Sequence, residues 1–234
     1  MRYFQNCFCL FIFMLLGIGC KRTVNGTGAI VSETRDLNQA TEITLSIPAE
    51  VTIIEADSFS CVIGTQKNIL DVINTKVNGN EFSIESDHDF NTDKPVQIVI
   101  SLPKIEAIEV NGSGQVSSLN NLQDKVLKLE VNGSGTIKLS GKIIDIESAI
   151  NGSGEIYLDG KCDQQKVNIN GSGNFHGYGF ETANSKIEIT GSGDAEVMAT
   201  DELKVDITGS GNVHYKGNPH LKSDITGSGN VQKN

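Results

Sequence analysis

The sequence predicts an all-β protein: a right-handed, single-stranded parallel β-helix, or solenoid, with coils of about 18–21 residues. Three observations predict it. The triplet Gly-Ser-Gly recurs seven times, with its serines at Ser113, Ser134, Ser153, Ser172, Ser192, Ser210 and Ser228. The steps between them are 21, 19, 19, 20, 18 and 18 residues, and the triplets take fourteen of the 25 glycines. Aligned on the serine, the flanking residues alternate between apolar and polar, the period of strands with one buried face.

The apolar columns are sharply defined. Three places before the serine stand Val110, Val131, Ile150, Ile169, Ile189, Ile207 and Ile225; three places after it stand Val116, Ile137, Ile156, Phe175, Ala195, Val213 and Val231. Between the apolar places lie charges. Four before the serine are Glu109, Glu130, Ala149, Asn168, Glu188, Asp206 and Asp224, and six before it are Lys128, Lys166, Lys186, Lys204 and Lys222, with Ala107 and Glu147 as exceptions. The two charge columns share an outward face and read as a solvated surface whose neighbours have opposite sign. A unit of about nineteen residues is too short for a βαβ crossover of ~30 and long enough for one coil, wound right-handed by the crossover rule.

The chain divides in order. Residues 1–19 have one charged side chain, Arg2, and an apolar run, Leu10–Ile18, that is too short to span a bilayer. They read as a signal peptide, with residues 20–28 a linker behind it. Residues 29–104 lack Gly-Ser-Gly but contain "EITLSIPAEVTIIEA", "EFSIES" and "PVQIVISLP". They are expected to be irregular β-rich coils or a cap. Residues 105–234 are the regular repeats, expected to continue 29–104 as one domain. Each repeat is expected to be strand, Gly-Ser-Gly bend, strand and a variable turn such as "SGK", "DGK" or "KGNPH". The last coil leaves an edge, blunted by Lys233.

Charge narrows the partners. The whole chain carries −10; without residues 1–19 it has 18 Lys+Arg against 29 Asp+Glu, a net −11. Such a surface repels nucleic acid, and no basic run exists beyond Lys21-Arg22. Cys61 and Cys162 are 101 residues apart. That is roughly five coils, or about 24 Å, and a disulfide needs Cα atoms within ~7 Å. Two free thiols are expected if the N-terminal part also coils.

The motif itself is weak as chemistry. A phosphate loop needs G-x-x-x-x-G-K-[ST] opening a helix, and a nucleophile elbow needs G-x-S-x-G. The histidines (His88, His176, His214, His220) show no repeat with the period, and zinc-ligand spacing is absent. Calcium-binding β-rolls repeat every nine residues, and only "GSGD" (Gly191–Asp194) has Asp after the triplet. Thr190, Thr208 and Thr226 form a short stack whose other four places hold Asn. No catalytic, cofactor-binding or metal-binding residue is assigned. Glycine geometry accounts for the triplet's ends; a hydroxyl ladder from coil to coil is the expected role of its serine.

The segment "LLGIGC" resembles the lipobox of bacterial lipoproteins, over Leu16–Cys20, with Gly17 where Leu is typical. The resemblance implies that Cys20 is acylated and becomes the first mature residue. With the β-rich lead-in and the repeated "VNGSG" (Val110–Gly114, Val131–Gly135), the chain resembles the bacterial "putative auto-transporter adhesin, head GIN domain" family. That resemblance implies a β-helix-like fold in a cell-envelope protein, lipid-anchored at the outer membrane, and brings no catalytic residues. Lys21-Arg22 follow the cysteine without an acidic stretch, so the periplasmic and surface faces both stay open. The expected partners are the membrane, through the anchor, and a protein or glycan. A polysaccharide-active enzyme on the same fold and an end-to-end structural module are the alternatives.

Overall fold

The computed structural model describes residues 23–123 and 125–234; Cys20 and residues 1–19 lie outside them. The first part holds β1 (Val24–Asn25), β2 (Ile30–Arg35), β3 (Glu42–Leu45), β4 (Ala49–Glu55), β5 (Ser60–Gln66), α1 (Lys67–Leu70), β6 (Ile73–Asn78), β7 (Glu81–Ser86), β8 (Phe90–Asn91) and β9 (Val96–Leu102). The regular coils follow as β10 (Ala107–Gly112), β11 (Gln115–Ser118), β12 (Val126–Gly133), β13 (Thr136–Gly152), β14 (Glu155–Gly171), β15 (Asn174–Gly191), β16 (Asp194–Gly209), β17 (Asn212–Lys216), β18 (His220–Gly227) and β19 (Asn230–Lys233). Seventeen of these strands form one sheet that winds into a β-solenoid of about seven turns.

The coils stack in parallel and in register. Val131, Ile150, Ile169, Ile189, Ile207 and Ile225 pair in series. Val131 to Ile207 are buried, as are Val116, Ile137, Ile156, Phe175, Ala195 and Val213 in the opposite column. Each Val, Ile or Phe among them contributes roughly 1.5–3 kcal/mol by leaving water, so the two columns are the inside wall of the coil.

Gly-Ser-Gly is the corner. The first glycine of each triplet has a positive φ, and a Cβ on Gly171 (φ +126°) would sit 2.5 Å from the Gly152 carbonyl oxygen of the coil before. The second glycine is excluded for a different reason: a Cβ on Gly135 would fall 2.5 Å from Val110 Cγ1 and 2.9 Å from Gly114 O. Both the conformation and the close approach of stacked backbones therefore require glycine.

The serine's role differs from the expected hydroxyl ladder. All seven serines are exposed, and among the described residues no side-chain hydrogen bond is made by Ser153, Ser172, Ser192 or Ser210. The backbone makes the ladder instead: Ser153 N–H donates to Gly133 O at 2.8 Å and Ser192 N–H to Gly171 O at 2.7 Å. The side-chain ladder is two residues earlier. Asn132 donates to Asn111 Oδ1 at 3.0 Å, Asn151 to Asn132 at 2.9 Å, and Asn170 to Asn151 at 3.1 Å. An amide has a donor and an acceptor on opposite atoms and can continue such a stack in one direction.

The variable segments also differ from the expected turns. β13 to β16 run 16–18 residues each, straight through "SGK" and "DGK". Gly141 stays paired with Gly160, and Gly160 (φ +119°) bends the strand at a point where a Cβ would collide with Gly141 O. The real change of direction follows three residues later, where Ile144 and Asp145, and then Asp163 and Gln164, are exposed in succession and the alternation shifts phase. "KGNPH" does leave the ladder, between Lys216 and His220, where Pro219 has no N–H to give.

Residues 29–104 contain both coils and a cap, and the coils are stacked out of chain order. β3 lies between β7 and β10, and β4 lies between β9 and β11. The chain thus lays down its second layer first, then its first layer, then skips over to the third. Antiparallel strands close that end: β5 on β9, β2 on β5, and β6 on β7. Ile69 and Leu70 of α1 are buried in the core beneath them.

The expected linker is partly a strand. Val24 and Asn25 pair with Phe90 and Asn91. Asn68 takes Thr27 N–H at 2.9 Å and donates to Asn25 O at 2.7 Å. Val24 packs against the core, which an alternating Val-Asn dipeptide beside an open ladder can do and a solvated linker cannot.

Cys61 and Cys162 are buried free thiols. Five ladder steps separate their strands, from β5 through β9, β4, β11 and β13 to β14, or about 24 Å. Burial pushes Cys61 up to about 12 and Cys162 up to about 11.

Two predictions follow from the corner and the core. Gly171→Ala should cost about 2–4 kcal/mol from strain and collision, while Ser172→Ala should stay within about 0.5 kcal/mol, read from urea or thermal melts. In a chain starting at residue 21, neither thiol should react with a disulfide reagent at pH 8, and both should react after unfolding. Since folding raises both thiol pKa values, their preference for the neutral form is intact below pH ~9 and is lost as pH rises from there towards ~12. Stability measured across that window should fall less steeply in Cys61→Ala.

Candidate functional surface

The outer surface is ribbed. Register pairing turns every outward residue into a column, with side chains about 4.8 Å apart from coil to coil. The Lys and acidic columns pair within strands: Lys128 with Glu130 at 3.4 Å, Lys186 with Glu188 at 2.6 Å and Lys204 with Asp206 at 3.6 Å. Lys166 reaches one coil back to Glu147 at 2.8 Å. The hydrogen bond from Lys186 holds the Glu188 carboxyl below its usual range, and Glu147 pushes the Lys166 ammonium up. These acids are engaged by lysines and solvated, and exposed pairs of this kind add little to stability. Thr190, Thr208 and Thr226 lie in register and exposed, continuing the Asn ladder.

A second face holds a column that the histidine count concealed. Lys138, Tyr157, His176, Glu196 and His214 stand in register, each four places after a triplet serine. His176 and His214 therefore do share the period, with Glu196 between them. Tyr157 and His176 stack with ring centroids 4.3 Å apart and 12° between planes. Lys138 Nζ lies 5.1 Å from the Tyr157 centroid, and His176 Nδ1 lies 3.2 Å from Glu196 Oε2. The ring faces are spent on one another, so edges and charges meet solvent. Aligning the chain on its serines would have shown this column.

Glu42, Glu81, Glu106, Glu109, Lys128 and Glu130 line one shallow hollow on the face of β7, β3, β10 and β12, and side chains also converge where the strands turn. There a shallow groove of about 400 Å³ is lined by Lys125, Lys142, Lys161, Ile144 and Cys162. Lys142 pairs in register with Lys161, and Lys161 meets Glu181 at 3.1 Å. Asp163 and Glu181 line the groove as well, so its three lysines stand among two acids on a chain of net −10. Cys162 in its floor donates to Gln164 O at 2.8 Å. With its thiol pushed up to about 11 by burial, it has the reverse of the lowered pKa that a nucleophilic cysteine needs.

The two ends of the solenoid are unlike. The N-terminal end is closed by antiparallel strands. At the other, β18 and β19 have strand neighbours on one side only, β16 and β17, and Leu221 and Ile225 are 37% and 38% exposed. Among the described residues, no three His, Cys, Asp or Glu side chains gather as a metal site would require. Nor is any helix there long and apolar enough to cross a membrane.

Known structures share this fold. A putative adhesin from Bacteroides fragilis is 19% identical, with a TM-score of 0.85 over 90% of this chain and 100% of its own. A putative adhesin from Parabacteroides distasonis is 22% identical, with a TM-score of 0.75 over 91% and 100%. A putative lipid binding protein from the same species is 24% identical, with a TM-score of 0.72 over 91% and 100%. No curated protein matches the chain. Residues 40–219, which span both the out-of-order layers and the Gly-Ser-Gly coils, match one family along their whole length, and the chain belongs to it: the putative auto-transporter adhesin, head GIN domain family.

Proposed function

We propose that this protein is a non-enzymatic lipoprotein of the cell envelope, held at the outer membrane by an acylated Cys20, and that its solenoid binds a protein or glycan. The observation that carries the reading is the pinning of residues 24–27 to the capped end, by β8 and by Asn68. Four residues from Cys20 to Val24 reach at most ~14 Å, so an anchor on Cys20 sets the capped end against the bilayer. The coils then rise from the membrane, and the open end lies eight ladder steps away, about 40 Å.

What the coils present suits binding. Ribbed faces repeat the same contact at each coil, and the lysine groove is a place where anionic groups of a protein or glycan would be held. Catalysis would need a converging acid and base, while Glu130, Glu188 and Asp206 are paired with lysines along flat strands and Cys162 is a deactivated thiol. Membership of an adhesin-type family supports the same reading.

Membrane fractionation tests the anchor: Cys20→Ser should move the protein from the membrane to the soluble fraction, and a chain that stays membrane-bound would overturn anchoring there. Protease shaving of intact cells decides the face. Loss of the protein places it outside, where adhesion operates, and full protection places its partner in the periplasm.

A further inference from the structure

We infer that the open end of the solenoid is a self-association surface, through which two copies join end to end as a two-fold dimer centred on Ser223. The starting point is the unused half of the last ladder. Lys128 N–H donates back to Glu106 O at 2.9 Å, and Lys222 occupies the same column as Lys128. In a parallel strand, alternate residues turn both N–H and C=O to the same side. Lys222 and Asp224 therefore bond back to β16, and Leu221, Ser223 and Ile225 turn theirs to the free side. An edge of this kind is a template for another strand.

The sequence of β18 is complementary to itself in one antiparallel register. With Ser223 opposite Ser223 of a second copy, Lys222 faces Asp224 and Asp224 faces Lys222. Leu221 faces Ile225, and Ile225 faces Leu221. The outward pairs are of opposite charge, and the inward pairs are the two exposed apolar residues of this end. The free N–H and C=O groups of Leu221, Ser223 and Ile225 meet their counterparts, exchanging six backbone hydrogen bonds. Ser223 is small at the axis, where its column holds the bulkier Val205 one coil earlier. A slip of one residue in centre, to Lys222 or to Asp224, sets like charges against each other. The register is thus selected by attraction in one alignment and by repulsion in its neighbours. The interface is isologous and closes at two copies, so no filament grows from it. The capped end offers no equivalent parallel edge.

One consequence rests on the anchoring reading above. With a lipid at each capped end, the dimer places its two anchors at opposite poles, about 80 Å apart by ladder count. Such a particle joins two membranes, not two sites on one.

Sedimentation equilibrium on the full lipidated chain in detergent tests the pairing, and the Cys20→Ser chain run beside it separates pairing from anchoring. Both should dimerise. Lys222→Asp and Asp224→Lys should each weaken the dimer by about tenfold or more, and the combined swap should restore it, since the exchanged pair is again complementary. Ser223→Cys should form an intermolecular disulfide under mild oxidation, because opposed residues of a hydrogen-bonded pair have Cα atoms ~5.5 Å apart, within disulfide range. A monomer at all concentrations overturns the proposal. So does a dimer indifferent to the charge changes, and so does assembly beyond two copies.

Discussion

The backbone-to-backbone contact between stacked Gly-Ser-Gly corners sets the terms for the rest of the molecule. A parallel coil must turn sharply and yet keep its N–H and C=O groups level with the coils on either side. At these corners the turn is made by a glycine in the left-handed region, and the adjoining serine N–H bonds to the glycine carbonyl one coil back. From Gly133 onward, a Cβ on that first glycine would enter the space where this bond runs. With the corner so fixed, the residues before and after it fall into register, and an apolar column becomes a continuous core. The Asn ladder, one step before the corner, ties the same line a second time with side-chain amides.

A ladder of this kind has two ends, and the chain treats them differently. At the N-terminal end the parallel edges of β7 and β9 are covered by antiparallel strands that run against them. An antiparallel neighbour satisfies the same backbone groups but offers a different bond spacing to the next strand, and so it ends the parallel stack. At the other end the groups of β18 remain available. The contrast gives the molecule a direction, from a sealed pole carrying the ordered N-terminal residues to a reactive one.

The regular part was legible because period and alternation repeat seven times. Any one Val-Asn-Gly-Ser-Gly is ambiguous, whereas seven aligned copies leave Ile150 or Val213 no other place than the core. The same alignment held the Asn ladder and the Tyr157–His176 column, which a count of histidines overlooked. The remaining features lie where local sequence does not decide. Residues 42–55 and 81–102 have the same strand character, and nothing in either says which layer comes first; that order depends on which edge the antiparallel strands cover. "SGK" and "DGK" look like turns, yet glycine there serves a bend inside an unbroken ladder, since Gly160 stays paired to Gly141. The serine hydroxyl was the natural candidate for a repeated contact, but the contact is made by the peptide group that any residue but proline would supply.

The architecture also explains why chemistry is hard to place on it. Side chains of one column point the same way and are held about 4.8 Å apart, so they form rows and seldom converge. Rows of alternating Lys and Glu satisfy each other, and stacked rings cover each other's faces. At the corner of Ile144 and Cys162 the converging groups are three lysines with Asp163 and Glu181, around a thiol that burial keeps protonated. That arrangement does not activate a nucleophile. Binding on such a scaffold gains strength from repetition: a partner with the same spacing meets one modest contact per coil, and several contacts along one rigid rib act together. A rigid stack held at its sealed pole would carry those ribs clear of a membrane, and that standoff is what the proposed envelope role uses.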